Sequence, residues 1–244
     1  MRNYQPQASF DQATADIYDE EPRGDEAATV DLLAELAGSG PALELAIGTG
    51  RIAIPLADKG IRVDGIDFSE PMVAKLRAKP GGGRLTVSIG NFAEVAVDGS
   101  YRLVYLVFNT LFNLLEQDQQ VQCFENVARH LTDDGVFVIE AFTPAFLYRL
   151  RDDQYVDAEA IEARRVTLDV GRHDPVSQTL EESHVVLTEQ GVRLYPIVTR
   201  YAWPAELDLM ARMAGLRLRD RWADWRRGAF TAESRQHISV YARR

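Results

Sequence analysis

Two glycines and an acid are the residues of this chain best suited to chemistry. Gly48-Thr49-Gly50 follows a short apolar run, Ala42–Ala46. Glycines at such a junction let the backbone turn tightly and approach a ligand that a side chain would exclude. Asp67 stands 19 residues beyond Gly48, after a second apolar run, where a carboxylate accepts hydrogen bonds from both hydroxyls of a ribose. The combination points to a ribose-containing cofactor. Gly48-x-Gly50-x-x-Ala53 also satisfies the dinucleotide pattern in its G-x-G-x-x-A form, so NAD stays open on these residues. On the substrate side, His173 in the polar segment Arg172-His-Asp-Pro175 is either a base that deprotonates a substrate near neutral pH or an exposed turn residue. Tyr195, Tyr201 and Trp203 alternate along one segment and share a face, as a pocket wall or as the underside of a sheet on its core. Asn109 and Asn113 follow the carboxyl end of an apolar strand, where they contact ligand or cap a helix.

Composition removes other chemistries. Cys123 is the one cysteine of 244 residues, so neither an intrachain disulfide nor a thiolate metal cage can form. The four histidines (130, 173, 184 and 237) show no HxxxH or HExxH spacing, and no metal is expected. Net charge is −10, from 37 acids against 27 bases, the wrong balance for a nucleic-acid partner. The longest apolar stretches are strand-sized, such as Leu103–Phe108, well short of the roughly 20 residues a membrane-spanning helix needs. Met1 to Glu21 is polar and acidic with no basic-then-apolar signal, which reads as a cytoplasmic protein away from membranes.

The elements that must position these residues follow from periodicity and turn chemistry. A helix is predicted over 25–37, stopped by Gly38-Ser-Gly40, and then a strand over Ala42–Ala46. Arg51–Lys59 reads as a helix with Pro55 in its first turn and Gly60 at its end. Strands over Arg62–Ile66, Leu85–Ile89, Leu103–Phe108 and Val136–Phe142 alternate with helices over Glu70–Lys79 and Gln117–Leu131. That alternation implies a parallel sheet with helices on both faces. After Pro144 the pattern becomes β-rich over Glu162–Val170, Thr179–Leu187 and Arg193–Trp203, with turns at Gly171–Pro175 and Glu189–Gly191. A helix over Pro204–Ala214 and strands over Leu216–Trp222 and Gln236–Ala242 follow. The expectation is one domain spanning 1–244. It has an N-terminal helical segment (1–40), a cofactor core (41–144 and 204–244) and an antiparallel cap (145–203) over the ligand edge.

At this point the motifs resemble a known family. Leu43-Glu-Leu-Ala-Ile-Gly-Thr-Gly-Arg51, Val63-Asp-Gly-Ile-Asp-Phe-Ser69 with Pro71-Met72, Gly90-Asn-Phe92, Tyr101–Asn109 and Leu131–Ile139 are similar, in order, to five motifs of class I S-adenosylmethionine-dependent methyltransferases. The segment 145–203 is similar to the cap of small-molecule members, sugar N-methyltransferases of natural-product pathways among them. The resemblance implies a Rossmann-like, doubly wound, mostly parallel seven-stranded sheet with an antiparallel β cap inserted after strand five. It implies S-adenosylmethionine as cofactor, S-adenosylhomocysteine as product, and in-line methyl transfer to nitrogen or oxygen of a small-molecule acceptor, by a monomer or homodimer. Glu44, Ala46, Gly48, Thr49, Gly50, Asp67, Phe68, Met72, Asn91, Phe92 and Phe108 become cofactor residues, with Asp67 on the ribose, Met72 against the adenine and Asn91 accepting from its amino group. Tyr18 either closes over the cofactor or anchors the first helix. Asn109, Asn113 and Tyr195 become substrate residues, and His173 the base. Ala46 departs from the family's first glycine, a replacement free of strain where φ is negative. Asn91 departs from its usual acid. An NAD-dependent oxidoreductase explains the glycines and Asp67, but leaves Gly90-Asn-Phe92 and the last strand pair unexplained, with no Tyr-x-x-x-Lys pair present. A non-catalytic adenosine-cofactor binder is the third reading.

Overall fold

The structure, a computed structural model, describes residues 1, 4–20 and 23–244. Helices α1 (Gln12–Ile17) and α2 (Glu26–Ala37) precede the alternation β1 (Ala42–Leu45), α3 (Ala53–Asp58), β2 (Val63–Asp67), α4 (Glu70–Ala78), β3 (Thr86–Ile89), β4 (Tyr101–Leu106), α5 (Gln117–His130) and β5 (Leu131–Phe142). Strands β6 (Gln154–Ile161), β7 (Arg165–Asp174), β8 (Thr179–Thr188) and β9 (Gly191–Arg200) come next, and α6 (Pro204–Met213), β10 (Leu216–Trp222) and β11 (Gln236–Arg243) end the chain.

The first sheet has seven strands in the order β10-β11-β5-β4-β1-β2-β3. Strands β1 to β5 run parallel, and β11 and β10 pair antiparallel beyond β5. Every residue of β1 and β2 is buried, as expected where helices cover both faces of a parallel sheet. Local chemistry sets the helix starts. Ser69 Oγ accepts from Met72 N–H to cap α4, and Glu116 and Gln119 form a capping box on α5. One apolar cluster joins α5 and α6 to the sheet, and a second joins α2 and α3 to it. Because β1 pairs with both β2 and β4, the chain reverses direction across the sheet beside β1. That reversal opens the crevice where ligands of such sheets bind. No helix among the described residues is long and apolar enough to cross a membrane.

The second sheet is antiparallel in the order β6-β7-β8-β9. It has four strands where the sequence suggests three. Strand β6 alternates Val156-Asp-Ala-Glu-Ala160, but its apolar face is mostly alanine and largely exposed, too weak a signal to mark a strand; the backbone ladder to β7 holds it. Strand β7 runs on to Asp174, so His173 is a strand residue and the turn moves to 175–178. Strand β9 ends at Arg200, and Tyr201 and Trp203 leave the sheet.

Candidate active site

The glycine loop departs from regular structure at three alternate residues. Ala46, Gly48 and Gly50 take φ of 56°, 55° and 75°. Ala46 is therefore in the left-handed region, not the negative-φ conformation in which alanine is free of strain, and a Cβ there costs about 1–2 kcal/mol. At Gly50 a side chain would also meet Leu76 at 3.0 Å. The loop is fastened to the second strand by Asp67, whose Oδ2 accepts from Gly48 N–H (2.7 Å) and Oδ1 from Ser69 N–H (2.7 Å). Burial raises the Asp67 carboxyl above its ordinary range, with those backbone donors opposing it. Each oxygen keeps a lone pair, enough for two ribose hydroxyls.

The N-terminal arm covers this loop. Thr49 Oγ1 donates to Asp19 (2.7 Å), and Lys79 Nζ both donates to Thr49 O (2.8 Å) and pairs with Asp19 (2.7 Å). Ser69 Oγ donates to Phe10 O (2.6 Å), and the Phe10 ring meets Phe68 edge-on at 5.7 Å. Tyr18 is half-buried, and burial raises its hydroxyl. It lines a narrow cleft with Glu44, Ala46, Gly48, Arg51 and Phe108. Glu44 is buried on β1 and accepts from the Tyr105 hydroxyl (3.0 Å). Burial pushes its carboxyl up to about 8, against the opposing pull of Tyr105 and Arg51.

Past β4, Phe108 and Asn109 both take positive φ, 57° and 60°. Backbone strain of this kind concentrates at functional sites. Glu140 near the end of β5 holds the turn: its Oε2 accepts from Phe108 N–H (2.6 Å) and its backbone carbonyl from Asn109 N–H (3.2 Å). Asn109 Oδ1 accepts from Phe142 N–H (2.7 Å), which makes it a clamp between β4 and β5. Asn113 is partly buried at the end of the following 3-10 turn. Arg23 grips the Glu140 carboxylate with both terminal nitrogens (2.8 and 3.1 Å) and sits 4.1 Å above the Phe108 ring. Arg51 lies 5.5 Å over the same ring; its Nε is buried without a hydrogen-bond partner among the described residues.

Arg23, Arg51 and Glu140 escape the sequence reading. Glu140 left one signal, an acid inside the apolar run Val136–Phe142, since a buried charge needs a partner. The remaining expected cofactor residues lie at the margin. Met72 is buried on α4 and Phe92 is packed in the apolar core. Asn91 is exposed and spends its Oδ1 on Ala93 N–H (2.9 Å), leaving one lone pair for an adenine.

His173 is buried, not an exposed turn residue. Its Nε2 lies 2.7 Å from the Tyr201 hydroxyl, which lies 2.9 Å from that of Tyr148. The Tyr148 ring also lies 5.6 Å from Trp203, tilted by 43°. Tyr195 is not in this group. It pairs opposite His184 while His173 is opposite Leu180 and, beyond it, Thr199, roughly 13 Å along the strand. Beside Tyr195 on the second sheet, Glu159, Asp169 and His184 bring metal-type ligand atoms within 4.8 Å of one another.

The residues at β1 and β2 fit an adenosine cofactor with an amino-acid tail. Asp67 has hydroxyl-accepting capacity, alternate left-handed residues expose the loop backbone, and Arg51 keeps an unused donor. A family model for the methyltransferase domain matches residues 42–135. The cypemycin N-terminal methyltransferase of a Streptomyces species is 29% identical over 210 residues, covering 82% of each chain. The structure of the CcbJ methyltransferase from Streptomyces caelestis superimposes with a TM-score of 0.92 at 42% identity, covering 98% of this chain and 99% of that one. The sugar N-methyltransferase KedS8 from Streptoalloteichus shares the fold, with a TM-score of 0.67 at 18% identity over 94% of this chain and 92% of its own. The chain belongs to the class I S-adenosylmethionine-dependent methyltransferases.

Proposed function

We propose that this enzyme methylates a nitrogen, or failing that an oxygen, of a small-molecule acceptor in the cytoplasm. The observation that carries the cofactor half is Asp67, buried and locked to Gly48 with lone pairs to spare. In this reading Asp67 holds the ribose, Ala46–Gly50 backs the methionine portion, and Arg51 meets its carboxylate. Tyr18 and Phe108 close the two sides, and Met72, Phe92 and Asn91 lie towards the adenine. When bound, S-adenosylmethionine would supply an activated sulfonium methyl that the acceptor's lone pair displaces from sulfur, with S-adenosylhomocysteine as the leaving product. The protein's task is alignment, which contributes roughly 7–11 kcal/mol when reacting atoms are held in line. Nitrogen is favoured by the names of the relatives, an N-terminal methyltransferase and a sugar N-methyltransferase. Residues 145–203 serve as the acceptor cap on a single domain, with Asn109 and Asn113 shaping its floor and His173 as the ultimate base.

Calorimetric titration with S-adenosylhomocysteine tests the reading, with NAD⁺ in parallel and Asp67→Ala as control. Micromolar binding, about −8 kcal/mol, that is lost in the variant and absent for NAD⁺ is the expected result. Binding of NAD⁺ in its place overturns it. A radiolabelled methyl screen over primary amines, secondary amines and phenols then identifies the acceptor class.

A further inference from the structure

His173 has no access to a substrate. Its side chain is 0% exposed, and its Nδ1 is buried with no hydrogen-bond partner among the described residues, facing Asp153 at 3.6 Å. A hydrogen-bonded line nevertheless runs from it to the surface, through Tyr201 (2.7 Å) to Tyr148 (2.9 Å), and Tyr148 is 51% exposed. Four separate segments build this line: Tyr148 from the 3-10 turn after β5, Asp153 from the next turn, His173 from β7, and Tyr201 from the exit of β9. Around the outer hydroxyl, Phe146 and Trp203 are also exposed, at 45% and 37%. The Phe142 ring joins the patch to the turn after β4. It lies 5.9 Å from Phe146, 6.4 Å from Tyr201 and 5.1 Å from Phe112, and its N–H is held by Asn109.

Resting on the methyltransferase reading, we infer that Tyr148 is the catalytic residue that touches an amine acceptor, and that Tyr201 and His173 act through it as a proton relay. Aliphatic amines reach an enzyme at neutral pH as ammonium ions, which have no lone pair, and exposed aromatic faces attract such cations. The acceptor's N–H bond breaks as the Tyr148 oxygen takes the proton. The Tyr148 proton passes to the Tyr201 oxygen, and the Tyr201 proton to His173 Nε2. The relay ends with both tyrosines neutral, an imidazolium beside Asp153, and the acceptor's lone pair free. Asp153, half in solvent, returns the proton to water. Asp174 also faces this group, while Glu206 is already engaged by Arg200 and Gln178. Burial raises the Tyr201 hydroxyl, so it conducts as a neutral phenol.

The relay requires one tautomer, with the proton on Nδ1 and Nε2 bare. Nitrogen-15 spectra of histidine-labelled protein above the imidazole titration show which ring nitrogen is protonated. Tyr201→Phe, which removes only a hydroxyl, identifies the His173 signal by its shift. A proton on Nδ1 is expected; a proton on Nε2 overturns the relay, because that nitrogen could then accept nothing, and this outcome does not depend on finding the acceptor. With an amine from the methyl screen, Tyr148→Phe should lower kcat at pH 7 by about a hundredfold or more. The loss should narrow towards pH 10, where the amine arrives neutral. A change in KM alone, or a loss independent of pH, reduces Tyr148 to a wall of the pocket. Absence of S-adenosylhomocysteine binding would instead fail the underlying reading.

Discussion

Replacing Glu44 by glutamine isolates a single buried ionisation beside the cofactor loop. The carboxyl is enclosed on β1, where it accepts from Tyr105 at 3.0 Å and from the Ala53 backbone, and burial moves it from 4.5 up to about 8. In the unfolded chain it ionises near its ordinary value. Between those two values the folded protein keeps a proton that the unfolded chain releases, so the unfolded state gains as pH rises. The contribution to stability is complete below pH 4.5 and is lost as pH climbs through about 8. The slope approaches about 1.4 kcal/mol per pH unit, which makes on the order of 3 kcal/mol between pH 5 and 7. Glutamine keeps the shape and still accepts from Tyr105, but has no proton to lose. Other raised carboxyls, Asp67 among them, are common to both proteins and cancel in the difference. Urea unfolding at pH 5, 6 and 7 should therefore show the variant gaining on the wild type by that amount. A difference that stays flat refutes the reasoning. Glu44 would then be ionised in the fold, with Arg51 rather than burial deciding its state.

Ala46→Gly relieves a left-handed alanine of about 1–2 kcal/mol and gives back roughly 0.5–1 kcal/mol in unfolded-chain entropy. A net gain of up to about 1 kcal/mol raises Tm by about 2–4 °C in a chain of this size, read by calorimetry, and a lower Tm means that packing of the Cβ outweighs the strain. Arg51→Ala should weaken S-adenosylhomocysteine about tenfold, roughly 1.4 kcal/mol, and leave adenosine unaffected because adenosine has no carboxylate. Equal losses for both ligands would move Arg51 from ligand recognition to loop support.

The two halves of this site differ in how far they are legible from the chain alone, and the reason is the sequence distance over which each is assembled. The cofactor half is local: Asp67 ends β2 and Gly48 lies in the loop just past the end of β1, and adjacent parallel strands bring those ends together, so motif order alone joins them. Even there the conformation of Ala46 was hidden, because nothing in its neighbours' identities sets the sign of φ. The proposed acceptor half is assembled from afar. Asn109 looks like a ligand contact until Phe142, 33 residues on, takes its side-chain oxygen. Glu140 is visible as an oddity within an apolar strand, but its partner Arg23 lies 117 residues away. His173 shows the same limit most clearly. Its polar neighbours predict an exposed turn, and only the pairing of β7 with β8 puts it opposite Leu180, under Tyr201 and Tyr148. A histidine that touches solvent could serve any substrate that reached it. One buried behind two tyrosines can reach an acceptor only along the line they form, so the fold, more than the residue, decides which acceptor atom it could serve.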